Sequence, residues 1–365
     1  MRGVSGLLHL SYASLSAVNG FRLWPDHDAG KQAAVVTYHG VQPAGYQRLD
    51  PFLDGNLVST EALRQHVRLL KARYCLLAPE DFRACLAAGN FPPRSVLVTC
   101  DDGHLNNLTH MASMFSNEGV KAMFFVTSDP LSNGGSFLWH ECLELVVMTV
   151  RNIPGRVSLP DVGEFEFPNE VAQRRAVLSQ LIAALSPCSQ ETKWQAIYIL
   201  AEKVGGKAWL DELLARKDGR FRVLNARELL QLADLGMTIG SHTVSHPRLA
   251  VLPGPTAERE IKDSRERIHE VLNEEVWAIA YPFGDAQAVG AREFQLAREA
   301  GYECGFLNYG GKLNAGQDKF ALFRAHIGAD VTPGTLDALA SGFHDKLKGL
   351  LQRKQRSSTG DSQLS

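Results

Sequence analysis

Two short segments of this 365-residue chain carry side chains that could hold a metal ion and move a proton. Residues 96–103 read VLVTCDDG, an apolar run that stops at Asp101, Asp102 and Gly103. Adjacent carboxylates repel each other, so a positive group must stand nearby if both are to stay ionised. Residues 239–247 read IGSHTVSHP, again a short apolar run, then small polar residues and two histidines four apart. On a helical turn, positions i and i+4 share a face, which would let His242 and His246 offer imidazole nitrogens to one ion. Adding Asp101 or Asp102 makes a set of two histidines and one carboxylate, with coordination positions left for water and substrate, as a catalytic site requires. Each motif also has a blander reading: D-D-G serves as a helix cap beside a solvated carboxylate, and a lone histidine is more often a surface or core residue.

A third segment, AIAYPFGD at 278–285, ends an apolar run on aromatic, proline, aromatic and glycine. Composition alone makes it a strand-to-turn junction. As part of a site it would be a wall, with Tyr281 and Phe283 offering flat surfaces to a sugar ring and Pro282 holding them rigid.

Positioning such residues takes a parallel α/β framework, where functional side chains gather at the C-terminal ends of strands. Short β-branched runs at 33–38, 95–99, 122–127, 237–239 and 276–280 read as buried strands. Helical patterns alternate with them at 60–74, 225–235, 256–273 and 291–300, and Asn225 and Glu228 are spaced as a capping box. Alternation of this kind predicts a parallel sheet or barrel. The expected organisation is an N-terminal helical segment over 1–30, a barrel domain over 31–345 with a helical insertion at about 137–220, and a disordered tail over 346–365. The insertion is expected as helices at 170–185, 190–204 and 208–216 with no strand between them. Leu7, Leu8, Leu15 and Val18 are expected to form the docking side of the N-terminal helix.

Taken in order, TCDDG (99–103), SHTVSHP (241–247) and AYPFG (280–284) resemble the polysaccharide deacetylases of carbohydrate esterase family four. VVTYHGV at 35–41 is similar to the bacterial subgroup that begins with a Tyr-His strand. The resemblance implies a distorted (β/α) barrel and removal of acetyl groups from an amino-sugar glycan or glycan precursor. It implies one divalent ion, zinc with cobalt or nickel as substitutes, held by Asp102, His242 and His246, and Asp101 as general base. Two family features are missing. Ala280 stands where relatives have the arginine that orients the base, so Arg324 becomes the candidate partner. No C-terminal Leu-x-x-His supplies an acid, so His39, at the end of an apolar strand, becomes the candidate, with His326 as rival and an adjacent carboxylate expected to raise its pKa. Tyr281, Pro282, Phe283, Trp139 and Arg324 are expected around the substrate, Trp139 either stacking on a sugar or packing the insertion.

Composition narrows the partners. With 38 basic and 40 acidic residues and a net charge of −2, the chain has no electrostatic footprint for nucleic acid. The six cysteines form no C-x-x-C pair and read as reduced thiols. No apolar run reaches the length of a membrane span. The expected partner is an N-acetylated glycan or a lipid-linked sugar, met in the cytoplasm or at the inner face of the membrane, with export left open. Two other readings stand beside this one: a metal-assisted amide hydrolase acting on a non-sugar substrate, and a glycan-binding protein without turnover.

Overall fold

The computed structural model describes residues 12–17, 20–22, 30–49, 53–132, 137–149, 155–203, 205–215 and 219–350. Its thirteen strands are β1 (Gln32–Tyr38), β2 (Gly40–Gln42), β3 (Leu57–Ser59), β4 (Cys75–Leu76), β5 (Ser95–Cys100), β6 (Met123–Val126), β7 (Arg156–Leu159), β8 (Gly163–Glu166), β9 (Thr238–Ser241), β10 (Ala278–Ala280), β11 (Cys304–Phe306), β12 (Leu313–Asn314) and β13 (Ala325–His326). The main sheet runs β11-β10-β9-β6-β5-β1, parallel throughout, with β4 on β5 and β13 parallel to β1. β12 alone joins antiparallel. The sheet curls until one segment touches both edges. Leu322 bridges Phe306 while Ala325 pairs with Val36, so 322–326 draws the barrel together. This is the distorted (β/α) barrel expected from the sequence.

The central strands β1, β5, β6, β9, β10 and β11 are buried along nearly their whole length, because a barrel covers both faces of its sheet. Amphipathic helices cover the outside. Thr60–Arg73 buries Leu63, Val67 and Leu70, and its N-cap Ser59 accepts from the Ala62 N–H. Ala226–Asp234 starts at the expected capping box, Asn225 and Glu228 each satisfying the other's backbone N–H, a feature worth about 1 kcal/mol.

The insertion builds its own core. Helices Trp139–Thr149, Val171–Leu185, Gln190–Glu202 and Gly206–Leu214 pack Trp139, Leu143, Val146, Leu181, Ile197 and Leu210 together, apart from the barrel core. It also contains an unexpected element, the antiparallel hairpin β7–β8. Val157 and Leu159 alternate inward there, a two-residue period too short to stand out in the sequence.

At the N-terminus, 12–17 is helical, but it docks through Tyr12 and Ser16 while Leu15 is exposed. Tyr12 and Phe21 pack with Ala338, and Ser16 Oγ donates to Asp337. Leu7, Leu8 and Val18 lie outside the described residues. At the other end, 343–350 is helical and Leu347 packs on the Tyr12 cluster, while 351–365, most of the expected tail, lies outside the described residues. Among the described residues, no helix is long and apolar enough to cross a membrane. All six cysteines are free thiols.

Candidate active site

The D-D-G turn ends β5. The Asp101 N–H still pairs with the Tyr38 carbonyl (2.9 Å), after which Asp102 (φ 78°) and Gly103 (φ 75°) turn the chain left-handed. A Cβ on Gly103 would lie 3.0 Å from Val126, so this turn wants glycine there on both counts. Across the barrel, β9 delivers His242. The expected helical turn does not follow it. Residues 242–246 form an open loop with Thr243 (φ 66°) and His246 (φ 56°) left-handed. Of the seven non-glycine residues with positive φ among the described residues, four stand at this site: Asp102, Thr243, His246 and Phe283. Each costs on the order of 1–3 kcal/mol and persists only where its surroundings over-determine it.

Asp102, His242 and His246 converge, with one donor atom from each within 4.8 Å of the others. Asp102 Oδ1 is 3.5 Å from His242 Nε2 and 3.4 Å from His246 Nε2. Donors at about 2.0–2.1 Å around a tetrahedral ion stand about 3.3–3.4 Å apart, close to the spacing that Asp102 Oδ1 keeps from each imidazole, so the donor set suits a divalent cation. His242 Nδ1 donates to the Ala280 carbonyl at 2.7 Å, which leaves Nε2 as the free donor. Burial lowers the pKa of His246, although Asp102 opposes it, and so favours the neutral, ligating form. Asp102 itself is buried, which alone would raise its pKa, but the two imidazoles hold it well below the carboxylate range.

Asp101 points its carboxylate at a guanidinium. Arg324, fully buried, makes a two-pronged contact, Nη1 to Oδ1 at 2.7 Å and Nη2 to Oδ2 at 2.6 Å. Its Nε donates to the Leu307 carbonyl, and Thr37 and Thr99 accept from Nη1. Burial would lift the Asp101 pKa, yet Arg324 outweighs it and keeps the carboxylate ionised. Arg324 therefore stands behind Asp101, walled off from the cavity, and is not among the groups that could touch a substrate.

A cavity of about 250 Å³ opens over the triad, lined among others by His39, Asp101, His140, Glu141, Arg220 and Phe283. His39 lies one residue past β1, and Asn107 donates to its carbonyl. Its Nδ1 is buried without a partner, and its ring meets that of His326 edge-on at 4.9 Å. Asp102 and Asp101 pull the His39 pKa up, but burial wins and the net direction is down, opposite to the sequence expectation. His326 sits at the register of Thr37, and its pKa is pushed down to about 3, chiefly by burial.

The aromatic wall is smaller than expected. Phe283 remains half-buried at the cavity, 4.9 Å from the His246 ring, and Pro282 is buried beneath it. Tyr281 is part of the cavity lining, but it is fully buried, its ring packed on Phe294 at 5.6 Å and against Gly305, because it shares the face of Ile279 while Ala278 and Ala280 take the other. Trp139 is 2% exposed, sits in the insertion core under Lys193, and donates its indole N–H to Ser245 O at 3.0 Å. A ring so enclosed does not stack on a ligand. Trp139→Ala should accordingly lower stability by about 3 kcal/mol, read by denaturant unfolding, while KM at saturating metal stays put. A raised KM with unchanged stability would restore the stacking role.

Several site residues escaped sequence reasoning. Glu260, on helix Gly254–Leu272, accepts from the backbone N–H groups of Val244 and Ser245 and from Ser245 Oγ, holding the histidine loop. Behind Asp102 lies a buried chain in which His104 Nε2 meets Glu141 at 2.6 Å and Arg220 donates to Glu141 at 2.7 Å. Burial favours a neutral Glu141, but Arg220 and His104 hold its pKa at about 2. Nothing but fold proximity joins these groups, since 104, 141 and 220 are far apart in the chain; only the W-H-E run at 139–141 gave a signal.

Fold and site define an α/β barrel protein with a candidate mononuclear metal centre beside a buried carboxylate–guanidinium pair. Residues 180–305 match the family model described as polysaccharide deacetylase. The putative polysaccharide deacetylase YxkH of Bacillus subtilis (strain 168) is 24% identical over 155 residues, 42% of this chain and 53% of that protein. The chain thus spans about half the length of this curated relative. Among solved structures, the deacetylase PplD of Streptococcus pyogenes, in complex with acetate, superposes with a TM-score of 0.55 at 17% identity, covering 86% of this chain and 99% of that one. A de-N-acetylase from Aggregatibacter actinomycetemcomitans gives 0.53 at 12% identity, over 84% and 99%. At such identities the structures speak for the fold, while the motifs and the family match make the chain similar to the polysaccharide deacetylases.

Proposed function

We propose that the protein is a metal-dependent hydrolase that removes N-acetyl groups from an amino-sugar-containing glycan or glycan precursor. The observation that carries this reading is the placement, in one cavity, of a carboxylate kept ionised by Arg324 beside a triad spaced for a divalent ion. A bound zinc ion would polarise the amide carbonyl and lower the pKa of its water. The chain's own residues do the rest. Asp102, His242 and His246 hold the ion. Asp101 takes the proton of the attacking water, its orientation set by the Arg324 fork. His39, at the cavity wall, delivers a proton to the leaving amine; burial lowers its pKa and favours the neutral ring, so it must first gain that proton within the reaction cycle.

Purified protein should carry about one divalent ion per chain and release acetate from N-acetylglucosamine oligomers. Chelation should abolish this and zinc, cobalt or nickel restore it. A variant with Asp102, His242 and His246 all changed to alanine that still holds stoichiometric metal would remove the basis of the reading. For the acid, His39→Ala should keep fold and metal while kcat falls roughly 10²-fold. Full activity in His39→Ala with loss in His326→Ala would transfer the role.

One observation favours a second reading, a metal-assisted hydrolase of small non-sugar amides. Of the three aromatics expected to face a sugar, Tyr281 and Phe283 line the cavity but only Phe283 keeps exposed surface there, and Trp139 is enclosed by the insertion core. Faster hydrolysis of small cyclic amides than of N-acetylglucosamine oligomers would decide for it.

A further inference from the structure

His242 is oriented by its own hydrogen bond to Ala280, whereas His246 Nδ1 is buried with no partner. The His246 ring must be held by packing, and the insertion supplies it. His140 stacks on His246 with centroids 4.0 Å apart and planes 13° from parallel, while Phe283 meets the ring edge-on. The two neighbours of His140 reach the rest of the donor set. Trp139 fixes the carbonyl of Ser245, the residue before His246. Glu141 fixes His104, whose Nδ1 is 3.9 Å from Asp102 Oδ2. The far end of the insertion returns to the same place. Arg220 closes on Glu141, and 222–224 stitches to 103–105 through the His104↔Val223 bridge, Leu105 N–H to Arg222 O (2.7 Å) and Leu224 N–H to Gly103 O (2.8 Å). Both left-handed donors, Asp102 and His246, are therefore held by contacts from outside the barrel.

We propose that the first turn of the insertion, Trp139, His140 and Glu141 closed by Arg220, is a clamp that positions the metal donors, so that metal affinity and docking of the insertion are thermodynamically linked. The inference rests on the metal reading of the triad. Linkage is reciprocal: whatever the clamp adds to metal binding, bound metal adds to the docking of the insertion. These are positioning residues, and outer contacts of this kind typically change metal affinity 10–100-fold.

The test titrates zinc into the full chain against a chromophoric chelator and follows limited proteolysis within the insertion with and without zinc. Trp139→Phe keeps the bulk and removes the N–H; His140→Ala removes the stack. Both should weaken zinc binding roughly 10–100-fold while the metal-free melting temperature stays near that of the parent. Zinc should slow cleavage of the insertion in the parent and do so less in the variants. Lys207→Ala, on an exposed insertion helix where the Lys207 ammonium pairs with Asp211 and lies over Tyr198, should bind zinc like the parent. Should His140→Ala lose its fold, His140→Phe, which retains a stacked ring, should recover most of the affinity. Parent-like zinc affinity in Trp139→Phe and His140→Ala, cleavage indifferent to zinc, or an equal loss in Lys207→Ala would each overturn the clamp. A parent chain that binds no zinc overturns instead the metal reading beneath it.

Discussion

Asp101→Asn should retain bound metal and lose turnover by roughly 10²–10⁴-fold, the range of a general base. Asparagine keeps the shape of the side chain but accepts no proton. The substitution also leaves the Arg324 charge without its counter-ion in a fully buried position, so a fall in melting temperature is expected alongside. Activity is therefore to be compared per folded, metal-loaded chain, by acetate release together with metal analysis. Equal rates in variant and parent would remove Asp101 from the chemistry, whatever the change in stability.

Arg324→Ala should be the most damaging single change to the fold that leaves every metal donor intact, costing roughly 3–5 kcal/mol, because it strands the ionised Asp101 in the barrel. In the parent, Arg324 depresses the folded-state pKa of Asp101. The stability so gained is fully present above the unfolded aspartate value, about 3.9, and is lost as pH falls through the lower folded value. Without Arg324, burial raises the folded pKa against His242 and His39 alone. The stability gained above the unfolded value shrinks accordingly, and the acid limb of the rate profile moves to higher pH. Arg324→Lys should fall between, since an ammonium restores the charge but not the two-pronged geometry. An unchanged acid limb in both variants would show that Arg324 does not tune the base.

How much of this was legible beforehand follows from the range over which each signal acts. The strands β1, β5, β6, β9 and β10 and their covering helices were readable because buried parallel strands and amphipathic helices write their periods into contiguous residues. The D-D-G and H-x-x-x-H motifs stood out for the same reason, each held within a few residues. The hairpin β7–β8 was missed because four residues of alternation are too few to register against a helical surrounding. The i, i+4 spacing of the histidines suggested a helix, but Glu260 and Trp139, remote in sequence, hold the loop open instead.

By itself, the sequence determined the barrel class and the donor types, since these depend on residue identity and short-range pattern, and it offered Arg324 as a candidate partner for Asp101. Tertiary structure alone decided which aromatic faces the cavity. Tyr281 and Trp139 are no less aromatic than Phe283, yet strand alternation packs the Tyr281 ring on Phe294 at the cavity lining with no exposed surface, and the insertion core encloses Trp139. It alone also placed His104, Glu141 and Arg220 behind Asp102, and His140 on His246. Those contacts join segments more than a hundred residues apart in some pairs, and no local pattern encodes a neighbour that only the closing of the chain brings near.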